Sequence, residues 1–225
     1  MDGNCLISLI IESQFMVPYI SNLDLSILSL IIFAVCFFIT TFTSSKRFKT
    51  GHTARAVRSE YRKSWAAFMI KNGDHRALLD FLRNKITVST TLLGGFVIGF
   101  GLVVNAFAGT TTVIGGLHLL FIITIMAYAV FYLLIDIRAL TYIPIIFGAD
   151  ESLIKKHENL SKGEYTAKLI DNSYDDFASA IRSLFYIIAL MVFSFDKLLF
   201  IAVTILLTFL FVRRDLSGKS RIEIF

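Results

Sequence analysis

The stretch that decides the fold is VFSFDKLLF, residues 192–200, which places Asp196 and Lys197 within thirty otherwise uncharged residues, 183–212. A single helix over 183–212 would be about 45 Å long, well beyond the roughly 30 Å hydrocarbon core of a bilayer. It would also hold two charges near the midplane, where each costs at least about 2.5–3.5 kcal/mol. A turn at Asp196-Lys197 removes both problems and predicts two shorter spans.

The distribution of positive charge favours the same turn. Of the 22 Lys and Arg residues, eleven lie in segment 43–85, five in 136–177 and four in 213–225. Residues 1–24 and the loop 108–116 contain none. With a turn at Asp196 all three basic segments share one side, which the positive-inside tendency makes cytoplasmic. We therefore expect an extracytoplasmic N-terminus and a cytoplasmic C-terminus.

The composition indicates which class of protein this is. The chain is 56% apolar with 22 Phe, and its mean hydropathy is +0.71. These values predict an all-α, polytopic transmembrane bundle in the plasma (inner) membrane, with residues 1–225 forming a single membrane domain. We expect about five spans, at 25–42, 86–107, 117–135, 179–195 and 198–212.

Two features of the chain ends and charge need interpretation. Residues 1–24 are apolar but broken by Glu12 and Pro18, and they lack a basic start, so a cleaved signal peptide is not expected. Whether they form an interfacial helix or an extra span is open. The net charge of +5 is attributed to the cytoplasmic face, and no nucleic-acid partner is expected.

The first basic segment contains a helical pattern. Val57, Tyr61, Trp65 and Phe68 recur at steps of four, four and three and predict one apolar face. This amphipathic juxtamembrane helix is expected to lie at the membrane surface, with interfacial anchors at the headgroups. The expected anchors are Tyr61, Arg62 and Trp65. Asp74 is the expected N-cap of the helix that follows.

The second span carries small and hydroxyl side chains that predict helix packing. Gly95 and Gly99, with Gly94 beside them, form a small-xxx-small pattern that permits close approach of two helices. Ser89, Thr90 and Thr91 bond either their own helix carbonyls or a neighbouring helix. Asn105, deep in the outer half of this span, is expected to bond across helices.

The sequence offers no catalytic constellation. Its four histidines are scattered, and His118, at a span end, has no nearby acid or cysteine in the sequence. No catalytic, cofactor-binding or metal-binding residue is predicted, and the protein is not expected to be an enzyme.

Charged and amide side chains at the span ends form the candidate functional cluster. In the five-span arrangement all of them lie at the cytoplasmic interface. One interpretation is an anion-attracting vestibule formed by the arginines, and the other is a set of snorkelling anchors and inter-helix salt bridges. The cluster comprises Asp80, Arg83, Asn84, Asp136, Arg138 and Arg182.

Short motifs follow one another in a fixed order from about residue 25 to 221: Tyr61-Arg62 with Trp65, then Asp74, Arg76 and Asp80, Ser89-Thr90-Thr91 with Gly94-Gly95, Arg138 with Tyr142 and Phe147-Gly148, Arg182 with Phe185-Tyr186, and RRDLS at 213–217. In this order of motifs the chain resembles the DUF599 family of multi-pass membrane proteins of unknown function. Where the family has a Trp and a Gly-Pro corner, this chain has FSFDK at 193–197. The resemblance implies an architecture, a corner at that position included, and no mechanism.

Two functions remain open at this point. The first is a non-catalytic structural or accessory subunit of a larger membrane complex, with the lipid bilayer and other membrane subunits, or copies of itself, as partners. The alternative is a homo-oligomeric pore or carrier for a small ion, with an arginine-lined cytoplasmic vestibule formed by Arg83, Arg138 and Arg182.

Overall fold

The computed structural model describes residues 24–43, 54–73, 75–107 and 112–216. Of these residues 94% are helical and none lies in a strand, which confirms the all-α class. The seven helices in this part of the chain are α1 Asp24–Thr43, α2 Ala54–Lys71, α3 His75–Phe107, α4 Val113–Gly148, α5 Glu151–Glu158, α6 Lys162–Phe193 and α7 Lys197–Leu216.

Helices α1, α3, α4 and α6 are each long and apolar enough to cross a membrane. Helix α7 covers the predicted fifth span, but the uncharged stretch between Lys197 and Arg213 is only fifteen residues. At about 1.5 Å per residue that stretch measures roughly 22 Å, shorter than a 30 Å core. The described bundle therefore has four helices of full membrane-spanning character and a shorter, apolar α7 beside them.

The turn predicted at Asp196 separates α6 from α7. Helix α6 ends at Phe193, and residues 194–196 are not helical. Asp196 Oδ1 accepts a hydrogen bond of 2.8 Å from the backbone N–H of Leu199, which is the geometry of a helix N-cap. The carboxylate thus satisfies an amide at the start of α7, and Lys197 is the first residue of that helix.

Three helices run past the predicted span ends. Helix α3 begins eleven residues before the predicted start at 86, α4 continues from 135 to Gly148, and α6 begins at Lys162 rather than near 179. Segment 136–177, predicted to be only partly helical, is thus almost entirely helical. The charges that marked the span ends do not end the helices: Asp136 and Arg182 pair between helices, and Arg83 and Arg138 are exposed on helical surfaces.

Helices α4 and α6 form the largest helix–helix contact and run antiparallel along the centre of the bundle. His118 Nε2 lies 2.8 Å from the carbonyl oxygen of Leu190 at one end, and Ser173 donates to Asp136 near the other. The His118 ring also lies 4.6 Å from the Phe193 ring, so this histidine has a structural contact. Helix α3 packs on α4, and α7 packs on α6.

Aromatic side chains fill the membrane part of the bundle. Phe33 of α1 is fully buried, and its ring lies 6.1 Å from Phe121 of α4, 5.6 Å from Tyr186 of α6 and 5.5 Å from Phe200 of α7. Such pairs add about 0.5–1.5 kcal/mol each beyond area burial. Phe33 therefore joins four helices at one point.

The predicted amphipathic helix is present as α2, but its placement differs from the prediction. It packs lengthwise on the N-terminal half of α6 instead of lying apart on the membrane surface. At one end Arg55 pairs with Asp175, and at the other a Cβ on Gly163 would lie 3.7 Å from Ala67 Cα. These contacts make α2 antiparallel to α6.

The face of α2 that packs on α6 is not its apolar face. Tyr61 and Phe68, which were assigned to the apolar face, are 64% and 59% exposed. The buried residues are instead Arg55, Ser59 and Ala66, which recur at helical spacing. The apolar periodicity does not mark this face, because ion pairs and a hydroxyl bond hold α2 on α6 there, with apolar contacts from Ala66 and Trp65 beside them.

Candidate functional site

The most buried charge in the described bundle is Asp136 of α4, whose exposed fraction is zero. Its carboxylate accepts hydrogen bonds from Ser173 of α6 and from Ser89 of α3, the latter at 2.5 Å. Lys85 Nζ of α3 lies 3.4 Å from Asp136 Oδ1. Charge and hydroxyl donors from two helices, α3 and α6, thus converge on one carboxylate of a third, as burial of a charge requires.

Lys85 is held by aromatic rings as well as by the carboxylate. Its Nζ lies 4.0 Å from the centroid of the Phe177 ring and 4.7 Å from that of Tyr174, both on α6. Cation–π contacts of this kind are worth about 0.5–1 kcal/mol when exposed and about 2 when desolvated. The side chain is 9% exposed, so Lys85 and Asp136 form a nearly closed ion pair.

A second carboxylate, Asp171 of α6, fastens helix α2. Ser59 Oγ donates to Asp171 Oδ2 at 2.7 Å, and Arg62 donates to Oδ1 through Nε at 3.1 Å and through Nη2 at 2.5 Å. The Arg62 guanidinium also lies 4.8 Å from the Tyr174 ring centroid. Arg62, predicted as an interfacial anchor, therefore attaches α2 to α6.

Two further ion pairs extend the series along α6. Arg55 Nη2 of α2 lies 3.0 Å from Asp175 Oδ1. Arg182 of α6 donates through Nη2 to both carboxylate oxygens of Asp215 of α7, at 3.0 and 2.8 Å. Together with the Asp136 and Asp171 groups, these pairs form an ionic column that links α2, α3, α4, α6 and α7.

The position of the ionic column relative to a bilayer follows from helical rise. Taking Asp196 as the outer boundary, Arg182 is fourteen residues away, or about 21 Å along α6. Asp175 and Asp171 lie about 31 and 37 Å from the same boundary. If a hydrocarbon core of about 30 Å began at Asp196, Arg182 would lie within it, about 9 Å from its other edge, and the other pairs would lie at or beyond that edge.

The predicted six-residue cluster does not form one site. Asp80, Arg83, Asn84 and Arg138 are exposed, whereas Asp136 and Arg182 are largely buried in two different ion pairs. Along the bundle axis Arg182 lies beside residue 126 of α4. Residue 126 and Arg138 are about 18 Å apart along that helix. Within the single chain Arg83, Arg138 and Arg182 do not come together, since Arg182 pairs with Asp215, and a vestibule shared between copies stays a prediction.

Of the predicted packing residues of α3, some contact α4 and others contact no neighbouring helix among those described. Gly99 faces α4, where a Cβ would lie 3.6 Å from Met126 Cε, and Ser89 binds Asp136. Gly94 and Gly95 have nothing within 4 Å of a Cβ position, so they do not mediate packing among the described helices. Thr90 and Thr91 donate to their own helix carbonyls, at 2.9 and 2.8 Å.

The expected anchors Tyr61 and Trp65 take different positions. Tyr61 is exposed, and the Trp65 ring packs at 5.0 Å against Phe81 of α3. Trp65 is therefore part of a second, smaller apolar core between α2, α3, α4 and α6. This core also includes Ala66, Leu78, Leu82, Leu140, Ile143, Ala167 and Ile170.

Sequence reasoning missed Lys85 as the partner of Asp136, and it missed both carboxylates that hold α2. A usable signal was present: Asp171 and Asp175 are four residues apart, as are Arg55 and Ser59. Such spacing puts each pair on one helix face. Complementary charge stripes on two neighbouring helical segments indicate that the segments pack together.

The outward face of α3 is the other notable feature. Its residues point directly away from α4, and all are exposed: Thr87, Thr91, Gly94, Ile98, Gly101 and Asn105. Apart from Ile98 they are small or polar. Of the four full-length apolar helices, α3 has the least buried apolar window, at 17%.

This arrangement defines a class: a multi-helix bundle with apolar helices of membrane-spanning length, closed at its basic end by inter-helix ion pairs. Residues 27–220 match the model of the family described as "Protein of unknown function, DUF599", and the chain belongs to that family. No curated protein and no solved structure matches the chain.

Proposed function

We propose that this protein is a non-catalytic accessory subunit of a larger membrane complex, and that it binds its partner through the outward face of α3. The observation that carries the proposal is the small and polar composition of that face. Lipid offers glycine no close packing and amide side chains no hydrogen-bond partner. Helix–helix interfaces in membranes offer both and are enriched in such residues.

The polar groups of this face support a partner helix. Thr87 and Thr91 satisfy their hydroxyls on their own helix, donating at 2.9 and 2.8 Å, so they permit close approach without needing a partner. Gly94 and Gly101 leave a shallow groove, because nothing among the described residues lies within 4 Å of their Cβ positions. Asn105 brings an amide that can both donate and accept across an interface.

The assembly is tested with substitutions that the isolated chain tolerates. Leucine at both Gly94 and Gly101 meets no neighbour among the described residues, so the variant is expected to fold. It should release the partner during purification in mild detergent, and native mass spectrometry measures the loss. Val88→Leu, exposed on another side of α3, is the matched control and should retain the partner.

The mass of the complex that the wild-type protein forms tests the proposal. A complex containing a different protein, lost in the double leucine variant and retained in Val88→Leu, supports it. A solitary monomer in native membranes contradicts it. A mass equal to a multiple of this chain would replace it with the alternative described next.

The alternative is a homo-oligomeric pore or carrier for a small ion. The same face of α3 favours it, because copies arranged around α3 would line a path with hydroxyl, amide and backbone groups. Asp80, Arg83 and Asn84 continue this face beyond the membrane part of the helix. Ion flux in proteoliposomes that falls in Asn105→Leu would favour the pore, and wild-type vesicles without conductance would exclude it.

A further inference from the structure

A small cavity lies between α1, α4 and α6 beside Arg182, and its volume is about 10 Å³. Cavities that stay empty inside proteins are apolar, so a polar lining indicates an occupant. Here most of the lining residues carry a hydroxyl or guanidinium group, namely Thr40 and Thr41 of α1, Tyr128 of α4, and Ser179, Arg182 and Ser183 of α6.

Arg182 supplies a donor that its ion pair does not use. Both carboxylate oxygens of Asp215 accept from Nη2 of Arg182, at 3.0 and 2.8 Å. Nη1 is buried and has no hydrogen-bond partner among the described residues. A guanidinium commonly grips a carboxylate through two nitrogens, whereas here one nitrogen serves the carboxylate alone. Because a buried charged donor is costly to leave unpaired, an acceptor bound in the cavity would complete the hydrogen bonds of Arg182.

The hydroxyl groups of the lining offer acceptors rather than donors. Thr40 donates to the carbonyl oxygen of Phe37 on its own helix at 2.9 Å. Ser179 and Ser183 likewise donate to carbonyl oxygens of α6, at 2.9 and 3.0 Å. Their protons are thereby committed, while each hydroxyl oxygen can still accept. The occupant must therefore accept a hydrogen bond from Arg182 and donate to these oxygens.

The size and chemistry of the cavity select a water molecule. A buried water needs roughly 10–15 Å³ and two to four polar partners, and the cavity offers both. A halide ion is larger than water and cannot donate to the hydroxyl oxygens. A metal cation would face the positive charge of Arg182. Water alone among these both accepts and donates.

The level of the cavity in the bundle gives this water a purpose. If a hydrocarbon core of about 30 Å begins at Asp196, Arg182 lies within it, about 21 Å along α6. Charged side chains at such depth are usually solvated by water that enters with them.

From these observations we propose that the cavity holds one structural water, which accepts a hydrogen bond from Arg182 Nη1 and donates to hydroxyl oxygens of α1 and α6. The water keeps the charge of Arg182 solvated inside the membrane, and it links α1 to the ionic column. The site is independent of the partner face on α3.

The direct test is a high-resolution crystal structure of the full chain in a lipid mesophase. Electron density for one water should lie in the cavity, roughly 2.7–3.2 Å from Arg182 Nη1. A second set of crystals, grown with bromide in place of chloride, distinguishes an ion from water. It should show no anomalous peak in the cavity.

The same water can be detected in nanodiscs by X-ray radiolysis, because a bound water yields hydroxyl radicals that oxidise adjacent side chains. Tyr128 should be oxidised, whereas the fully buried Phe33, which does not line the cavity, should not. Ser179→Val places methyl groups in the cavity and should reduce oxidation of Tyr128 several-fold. Ala178→Val, which adds similar bulk to the same turn of α6 outside the lining, is the matched control and should leave it unchanged.

Three outcomes would overturn the proposal. An anomalous bromide peak beside Arg182 shows a halide site. A cavity without density in the crystals shows that Arg182 Nη1 is buried without a ligand. Equal oxidation of Tyr128 in the wild type and Ser179→Val, or an equal loss in Ala178→Val, shows that the radicals do not come from a water in this cavity.

Discussion

The ammonium group of Lys85 lies 3.4 Å from Asp136 Oδ1, in an ion pair whose two side chains are 9% and 0% exposed. Three helices meet at this pair, since Lys85 is on α3, Asp136 on α4, and the hydroxyl of Ser173 and the Phe177 ring come from α6. The basic end of the bundle is therefore organised around one carboxylate.

Asp136→Ala should lower the free energy of unfolding by about 3–5 kcal/mol, because it leaves the Lys85 charge buried without its partner. Chemical denaturation in detergent measures the change. Arg138→Ala, which removes an exposed charge two residues away, should stay within about 0.5 kcal/mol of the wild type. Equal stability of the two variants would contradict the proposed importance of the buried pair.

The contact between Arg182 and Asp215 should couple α6 to α7. In a double-mutant cycle with Arg182→Ala and Asp215→Ala, we expect a coupling energy of about 1–3 kcal/mol, since Nη2 of one arginine serves both carboxylate oxygens. The coupling energy is obtained from the free energies of unfolding of the wild type, the two single variants and the double variant. Strictly additive effects would mean that the pair does not hold the helices together.

Asp171 should determine whether α2 stays on the bundle. Asp171→Asn removes the charge that binds Arg62 and Ser59, and we expect faster hydrogen exchange throughout Ala54–Lys71 with little change in α4. Mass spectrometry of the exchanged peptides reports both helices. Glu60→Gln, which alters an exposed carboxylate of α2 itself, is the control, and similar exchange in both variants would refute the role of Asp171.

The topology predicts opposite labelling of two engineered cysteines. With Cys5 and Cys36 replaced by serine, Asp196→Cys should react with an impermeant thiol reagent from outside the cell. Lys219→Cys should react only after the membrane is opened. Labelling of both from the same side would show that the chain between them crosses the membrane an even number of times, and the arrangement would be wrong.

The start of helix α5 should be sensitive to acid. Asp150 caps this helix, and its bonds to the backbone and side chain of Ser152 lower the pKa of the carboxyl group. The lowered pKa means that the cap stabilises α5 above the unfolded-state pKa and that this contribution is lost as pH falls through the folded-state value. Amide hydrogen exchange within Glu151–Glu158 should become faster as the pH falls from the unfolded-state pKa of Asp150 through its folded-state pKa. In Asp150→Asn, whose side chain caps the helix without titrating, exchange should not change with pH in this way.

The turn at Asp196 illustrates what could be read directly from the residues. Two adjacent charges in an apolar run are too costly at the midplane, so the chain must break there whatever surrounds it. The predicted all-helical class and the existence of α2 follow from equally local features, namely long apolar runs and helical periodicity. Even so, the span limits did not predict the helix ends, because α4 and α6 continue through Asp136 and Asp175.

The candidate site was recognised only in part for a related reason. The sequence singled out Asp136 and Arg182 as charges at span ends, but it did not indicate Lys85, Asp171 and Asp215, whose partners lie far away in the chain. Asp171 and Ser59 are separated by 112 positions and lie 2.7 Å apart. Sequence periodicity describes one helix at a time, and it does not specify which helix lies opposite.

Membrane character, the break between α6 and α7, and the segregation of positive charge were thus determined by the sequence itself. The physical reason is that the cost of placing charge in hydrocarbon depends on each residue and its near neighbours alone. The pairing of carboxylates with cations, the polar attachment of α2 and the direction of the small-residue face of α3 were decided by tertiary packing. Each of these depends on the rotation and register of one helix against another, which only the assembled bundle fixes.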